Sequence, residues 1–367
     1  MKRELMNCKL SISVIVNSQN KRGYYMSENN GIPEHTSEKK SFFKRYRVAI
    51  LIAFIAIAGI GALAYYWLNT AGGTKVSKLG VMKIRENAIT IRKEANEKDT
   101  LGKRIVIERD GKDPVEAIWY EPEGRTEDLP VFVYAHGGAW ISFDAIDGDE
   151  FNKKIADSAN CVVVNLNYRL LQTEPFPYQQ EEMADTVKWL QENAESLKVQ
   201  PDNIVISGGS AGGHITAGAA LLLSRENIKV AAQLLEMPFL DFTAPKEDDL
   251  GIFSGFIGQL HDTFFPDVPT DDPIVSPPYA SAEELKKLPP AYFILGKQDP
   301  LHLQGERYAK ILEKEGIYTN IKYFDTNHGY TVEKKDENGE TVSVADIENN
   351  EAGEKYKIEL LQSIFNK

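Results

Sequence analysis

The chain has 367 residues, 42% of them hydrophobic, with 27 Gly and 17 Pro, a globular composition that excludes a collagen-like or wholly disordered chain. Its charge is divided: residues 1–47 carry ten basic and four acidic side chains, 48–74 carry none, and 75–367 hold 32 basic against 50 acidic, a net −18. A body that acidic repels phosphate backbones and excludes sequence-independent nucleic-acid binding, while two cysteines, Cys8 and Cys161, cannot build a disulfide framework or a Cys/His zinc site.

Residues 1–47 read as a basic, disordered tail. From Val48 to Leu68 runs VAILIAFIAIAGIGALAYYWL, uncharged throughout and long enough to cross a bilayer as one helix. Lys39, Lys40, Lys44, Arg45 and Arg47 precede it, so the positive-inside bias places the N-terminus in the cytoplasm and the body outside, in a single-pass cell-membrane arrangement. Ala62-Leu63-Ala64 also offers a signal-peptide cleavage pattern, and cleavage after Ala64 would give a secreted body. Residues 69–100 read as a linker leading into either a cap helix or a stalk.

The body, 101–367, alternates β-branched runs with helical patterns. RIVIER (104–109) and VEAIWY (115–120), joined by Asp110-Gly111, predict a hairpin. VFVYA (131–135), CVVVNLN (161–167), NIVISG (203–208), VAAQLLEM (230–237), AYFILG (291–296) and NIKYFD (320–325) follow as strands. Between them lie helical patterns such as EEMADTVKWLQENA (181–194). Continuous apolar strands separated by helices predict a mostly parallel sheet with helices on both faces.

Three points on this sheet carry chemistry. Gly208-Gly209-Ser210-Ala211-Gly212 lies between a strand and a helical run, where flanking glycines permit a turn sharp enough to expose a strained serine. His136-Gly137-Gly138-Ala139-Trp140 ends an earlier strand. The N–H groups of Gly137 and Gly138, with that of Ala211, are candidates for an oxyanion hole. His136 itself reads as an orienter of that loop. Asp299 and His328 each follow a later strand. The order Ser210…Asp299…His328 is the one an α/β-hydrolase requires, with His328 as general base and Asp299 as its orienting acid. Asp325 is a rival acid, too close in sequence to His328 to reach its ring well.

The body resembles the hormone-sensitive-lipase-type family of α/β-hydrolases through HGGAW (136–140), NYRL (167–170), EPFP (174–177), PDNIVISGGSAGG (201–213), SPPYA (276–280), LPPAYFILGKQDPL (288–301), GERYAKILEKEG (305–316) and NHGY (327–330). The resemblance implies an eight-stranded α/β-hydrolase fold with a helical cap, a serine-ester mechanism without a cofactor, the triad Ser210, Asp299 and His328, and oxyanion donors Gly137, Gly138 and Ala211. The chain departs from the family in having Ala139 where a third glycine is common. The segment Glu333–Lys355 is charged and reads as a solvated loop.

Between a further strand, MPFLDFT (237–243), and SPPYA, the cap insertion (about 239–275) carries an apolar cluster of Phe253, Phe256, Ile257, Leu260, Phe264 and Phe265. His136, Trp140, Phe239 and Phe256 are the candidate substrate-binding side chains. The expectation is a membrane-tethered carboxylesterase or deacylase acting on short- to medium-chain esters, small or glycan-borne. Two alternatives stay open: a peptidase or aryl amidase on the same fold, and a non-catalytic binding module.

Overall fold

The computed structural model describes residues 78–171, 176–243, 250, 252–336 and 341–366. The tail 1–47 and the apolar segment 48–68 lie outside the described residues. Among those described, no helix is long and apolar enough to cross a membrane.

Helix α1 (Lys78–Asn96) opens the described chain. Ala88, Arg92 and Ala95 recur on one of its faces, and the two alanines are buried, small enough for that face to approach the body closely. The hairpin β1 (Lys103–Arg109) and β2 (Lys112–Tyr120) follows, with Gly111 at φ +67° in its turn. Then come β3 (Leu129–Ala135), α2 (Asp149–Ala159), β4 (Val162–Leu166), α3 (Tyr178–Glu192), β5 (Val199–Gly209), α4 (Ala211–Arg225) and β6 (Ala232–Glu236). Beyond them are α5 (Ile252–Phe264), β7 (Ala291–Gly296), α6 (His302–Lys314) and β8 (Thr319–Phe324). The described chain closes with β9 (Thr331–Lys335), β10 (Thr341–Ala345) and α7 (Ile347–Phe365).

Eight strands form one sheet in the order β1-β2-β4-β3-β5-β6-β7-β8, with β1–β2 and β2–β4 antiparallel and the other pairs parallel. Alternation along each strand sends side chains to two faces. Val131, Val133, Val164 and Ile206 meet Met183 and Leu190 of α3, Leu221 of α4 and Leu312 of α6. Phe132, Val163, Val205 and Ile294 meet Ile155 of α2 and Leu361 of α7. Strands covered on both faces account for the uninterrupted apolar runs in the sequence.

Two readings are corrected. MPFLDFT (237–243) is irregular: β6 stops at Glu236, and Met237 sits at φ +42°. The N–H groups beyond it go to side chains and loops: Leu240 and Asp241 donate to Gln304 Oε1, Phe242 to Ser276 Oγ, and Phe239 to the Ser210 carbonyl. The segment after His328 is not a solvated loop. β9 and β10 pair antiparallel with Val332 opposite Val344, and α7 starts at Ile347 behind an Asp346 cap that accepts the Asn349 N–H at 3.2 Å. The β-branched alternation outweighs the charge density there.

Helix α5 supplies Ile257 and Leu260 to the core. Phe265 follows directly, stacking near Phe176 (5.2 Å) and Phe242 (5.3 Å). Helix α1 lies beside α5.

Candidate active site

Register brings the chemistry together. Ala135 pairs with Gly208, Gly209 with Glu236, and Gly296 with Phe324. The segments beginning at His136, Ser210, Lys297 and Asp325 therefore all leave the sheet at the same, C-terminal, edge.

Ser210 sits between β5 and α4 at φ +55°, ψ −115°, outside the regions a serine adopts freely. Neighbouring glycines make room for it. A Cβ on Gly212 would overlap the Ala135 carbonyl oxygen and lie 2.7 Å from that of His136. The Ser210 N–H donates to the Glu236 carbonyl at 2.9 Å, and its own carbonyl accepts from His214 and Phe239, both at 3.2 Å.

His328 Nε2 lies 2.9 Å from Ser210 Oγ, and Nδ1 lies 2.7 Å from Asp299 Oδ2. A carboxylate only accepts, so Nδ1 carries the proton and Nε2 is left to accept from the serine hydroxyl. Asp299 is fully buried and its other oxygen accepts the Leu301 N–H at 2.9 Å. Burial opposes charge on the His328 ring. The Asp299 carboxylate and its hydrogen bond, helped by Glu236, outweigh that and leave His328 above the ordinary histidine value. Asp325, the rival acid, is exposed and accepts from Gln298 instead.

Gly137 and Gly138 approach the serine from the β3 side: a Cβ on Gly137 would lie 3.5 Å from Ser210 Cβ. Among the described residues their N–H groups donate to nothing. Ala211 opens α4, so its N–H has no intrahelical acceptor. Gly137, by that approach, and Ala211, as the next residue in the chain, thus lie beside Ser210 with N–H groups that have no other acceptor among the described residues.

The four candidate substrate-binding side chains separate. His136 is buried, stacked on Tyr168 at 4.3 Å, with Nδ1 2.8 Å from the Gly137 carbonyl oxygen. Trp140 and Phe239 are each 2% exposed and meet edge-on at 5.5 Å, Trp140 donating through Nε1 to His214 Nδ1 at 3.2 Å. They form a wall beside Ser210 that also includes Phe242, 4.8 Å from Phe239. Phe256 is half-buried on α5, packed against the core. Burial holds the His214 ring neutral, down to about 4, against the opposing effect of its 2.7 Å bond to the Val275 carbonyl.

Four positions around the site were not singled out from the sequence. Arg92 of α1 donates to the carbonyls of Phe143 (3.0 Å) and Tyr168 (2.7 Å) and to His136 Nε2 (3.0 Å). Behind the serine, the Glu236 carboxylate accepts from the Tyr330 hydroxyl (2.8 Å) and from Lys357 Nζ of α7 (2.7 Å), the lysine 4% exposed. Tyr330 lies within the quoted NHGY, but nothing local marks its partner.

Comparison with known proteins agrees with this geometry. A family model described as an alpha/beta hydrolase fold matches residues 132–332. An arylesterase of Saccharolobus solfataricus is 29% identical over 275 residues, 70% of this chain and 84% of its own length. The solved hyperthermophilic esterase of Pyrobaculum calidifontis superposes with a TM-score of 0.63 at 26% identity, over 79% of this chain and 93% of its own. Carboxyl esterase 2 of Tuber melanosporum gives a TM-score of 0.62 at 25% identity, covering 73% and 88%. With the matched region spanning more than half of the residues, the chain belongs to the α/β-hydrolase family, as a hydrolase of its hormone-sensitive-lipase-like esterase branch.

Proposed function

We propose that the chain is a serine carboxylesterase working through an acyl-enzyme. Ser210 Oγ attacks the ester carbonyl carbon as His328 Nε2 takes its proton, and the carbonyl oxygen becomes an oxyanion held by the N–H groups of Gly137, Gly138 and Ala211. His328 then returns the proton to the leaving alkoxide, releasing the alcohol. Water, deprotonated by the same ring, attacks the acyl-serine, and collapse of the second tetrahedral species frees the acid and restores Ser210. Asp299 keeps the ring in its required tautomer and stabilises the imidazolium.

The observation that carries this reading is the unbroken line from Asp299 Oδ2 through His328 (2.7 Å) to Ser210 Oγ (2.9 Å). Trp140, Phe239 and Phe242 close the space beside the serine, which favours short- to medium-chain acyl groups. Helix α5 serves as the cap. The segment 48–68 tethers the enzyme to a membrane with the body outside.

The test is turnover of nitrophenyl esters from acetate to laurate by the full chain, with Ser210→Ala as control. Hydrolysis that disappears in Ser210→Ala and declines with acyl length is the expected result. Turnover equal in wild type and Ser210→Ala sinks the proposal. Faster cleavage of the matching anilides than of the esters would make the chain an amidase instead.

A further inference from the structure

The segment from His136 to Asp144 is strained out of proportion to its length. Gly138 sits at φ +102°, but Ala139 (+51°), Trp140 (+61°) and Phe143 (+69°) also occupy the left-handed region, which side chains with a Cβ disfavour. Its internal bonds are short-range: the N–H groups of Ile141 and Ser142 and the Ser142 hydroxyl all converge on the Gly138 carbonyl. Such a conformation persists only where the surroundings impose it.

One guanidinium spans the segment. Arg92 Nη2 donates to His136 Nε2 at its start, and Nε donates to the Phe143 carbonyl near its end. Nη1 is anchored on the Tyr168 carbonyl at 2.7 Å, and the Asp144 carboxylate lies 3.9 Å from Nε. An arginine has no acceptor, so His136 Nε2 must accept and Nδ1 must carry the proton. That proton goes to the Gly137 carbonyl at 2.8 Å. Burial, reinforced by the Arg92 charge, lowers the His136 pKa to about 3 and keeps this tautomer neutral. The Tyr168 hydroxyl lies 3.0 Å from the His136 carbonyl oxygen and 3.1 Å from that of Gly137.

These contacts fix more than oxygen atoms. In a trans peptide the C=O and the following N–H point in opposite directions. Holding the His136 and Gly137 carbonyls therefore fixes the direction of the Gly137 and Gly138 N–H groups, in the loop that passes beside Ser210.

We propose that Arg92 is a positioning residue for ester hydrolysis: through the His136 tautomer it sets the plane of the Gly137–Gly138 peptide, and so makes docking of helix α1 a condition for a formed oxyanion hole. This rests on the serine-esterase reading above. Arg92 touches no reacting atom; its effect arrives through His136 and the loop backbone. A lysine cannot replace it, because a single ammonium cannot reach His136 Nε2 and the Phe143 and Tyr168 carbonyls in a planar fork.

The experiment compares the full-length wild type, Arg92→Ala, Arg92→Lys, Tyr168→Phe and Ser210→Ala on nitrophenyl acetate. It also measures inhibition by a trifluoromethyl ketone, which forms an oxyanion on Ser210, and by the product carboxylate, which does not. Arg92→Ala is expected to lower kcat roughly 100-fold, the scale of losing one oxyanion donor, with KM within about threefold. Ketone affinity should fall in parallel while product affinity holds. Arg92→Lys should not recover the loss, and free guanidinium should restore part of it in Arg92→Ala. Tyr168→Phe leaves Arg92 and α1 in place and removes the hydroxyl from both carbonyls. It should show the same kcat-selective loss; wild-type kcat and ketone affinity in Tyr168→Phe would mean that holding these carbonyls does not aim the donors, which overturns the inference even should Arg92→Ala fail to fold. Wild-type kcat and ketone affinity in Arg92→Ala, or in a folded Arg92→Lys, overturn the inference while the esterase reading stands on Ser210→Ala. A uniform loss of kcat, ketone and product affinity that tracks the fraction unfolded also overturns it. Turnover surviving in Ser210→Ala overturns both.

Discussion

The loop carrying His328 and the loop carrying His136 flank the same serine, and each fixes one histidine tautomer with one charged partner. Asp299 accepts from Nδ1 of His328, which frees Nε2 to accept a proton; Arg92 donates to Nε2 of His136, which commits the Nδ1 proton to a backbone carbonyl. The anionic partner lifts His328 above the ordinary histidine value, whereas burial and the cationic partner hold His136 near 3. The same side chain is thus made a proton acceptor in one loop and a fixed strut in the other. The sign of its neighbour decides which.

The comparison is broken most severely at Asp299. In Asp299→Asn the amide can donate to Nδ1, which hands His328 the wrong tautomer for accepting the Ser210 proton. A fall in kcat of about 10⁴-fold is expected with little change in KM; steady-state kinetics on a nitrophenyl ester, beside a melting curve, checks it. A loss under tenfold would remove Asp299 from the role given to it.

Next is the charge behind the serine. Lys357→Met strips the Glu236 carboxylate of its cation where the pair is largely buried, at a cost of about 3–5 kcal/mol. A urea titration reads this directly, and Glu236→Gln in the same chain should recover much of it. Equal stability of Lys357→Met and wild type would contradict the assignment.

A pH profile sharpens the contrast between the two rings. His328 must be neutral to accept a proton, so kcat/KM should rise with pH through an inflection above 6.5, in keeping with its raised value. His136 and His214 act on stability, and their shifts have the opposite sign. Both are depressed, to about 3 and about 4, so the unfolded chain binds protons below about 6.5 that the folded chain refuses, and stability should fall as pH drops through that window. Thermal unfolding followed between neutral and mildly acid pH tests this. Glu182, lifted to about 7 by burial, opposes them in the same window, so the reading is taken against His214→Gln. A pH dependence of melting identical in the variant and wild type would count against a buried neutral ring at that position.

The smallest effect belongs to Ala139. Glycine accepts its φ of +51° without the steric cost, but loses more entropy on folding. Ala139→Gly should therefore shift stability by no more than about 1 kcal/mol, with kcat unchanged while Arg92 holds the loop. A larger loss of activity would mean that the Ala139 side chain itself shapes the pocket.

What the sequence disclosed was local in character. Gly208 to Gly212 between a strand and a helix, His136-Gly137-Gly138 after a strand, and Asp299 and His328 in the required order were all legible because turn and motif chemistry lies within a few neighbours. Arg92 was not: it is one of several cations on a helix, 44 residues from the imidazole it holds. Glu236 and Lys357 are 121 residues apart, and neither neighbourhood advertises a buried pair. Asn338-Gly339, followed by alternating valines at 342 and 344, is a hairpin signal that the surrounding charge obscures. MPFLDFT reads as a strand because it is mostly apolar; only tertiary partners such as Gln304 and Ser276, which accept its N–H groups, make an irregular path through it affordable. The burial of Trp140 and Phe239, each 2% exposed, could not be read from residue type alone.

The seat of Ser210 is completed from the far end of the described chain. Its N–H rests on the Glu236 carbonyl, and the Glu236 carboxylate is matched by a lysine that arrives only with α7. A nascent polypeptide with α7 still inside the ribosome holds every triad residue yet lacks the counter-ion that lets the floor beneath the nucleophile settle. Chains truncated before Ile347 should accordingly stay inert toward a serine-directed phosphonate, so that the readiness of the nucleophile depends on a helix that carries no triad residue.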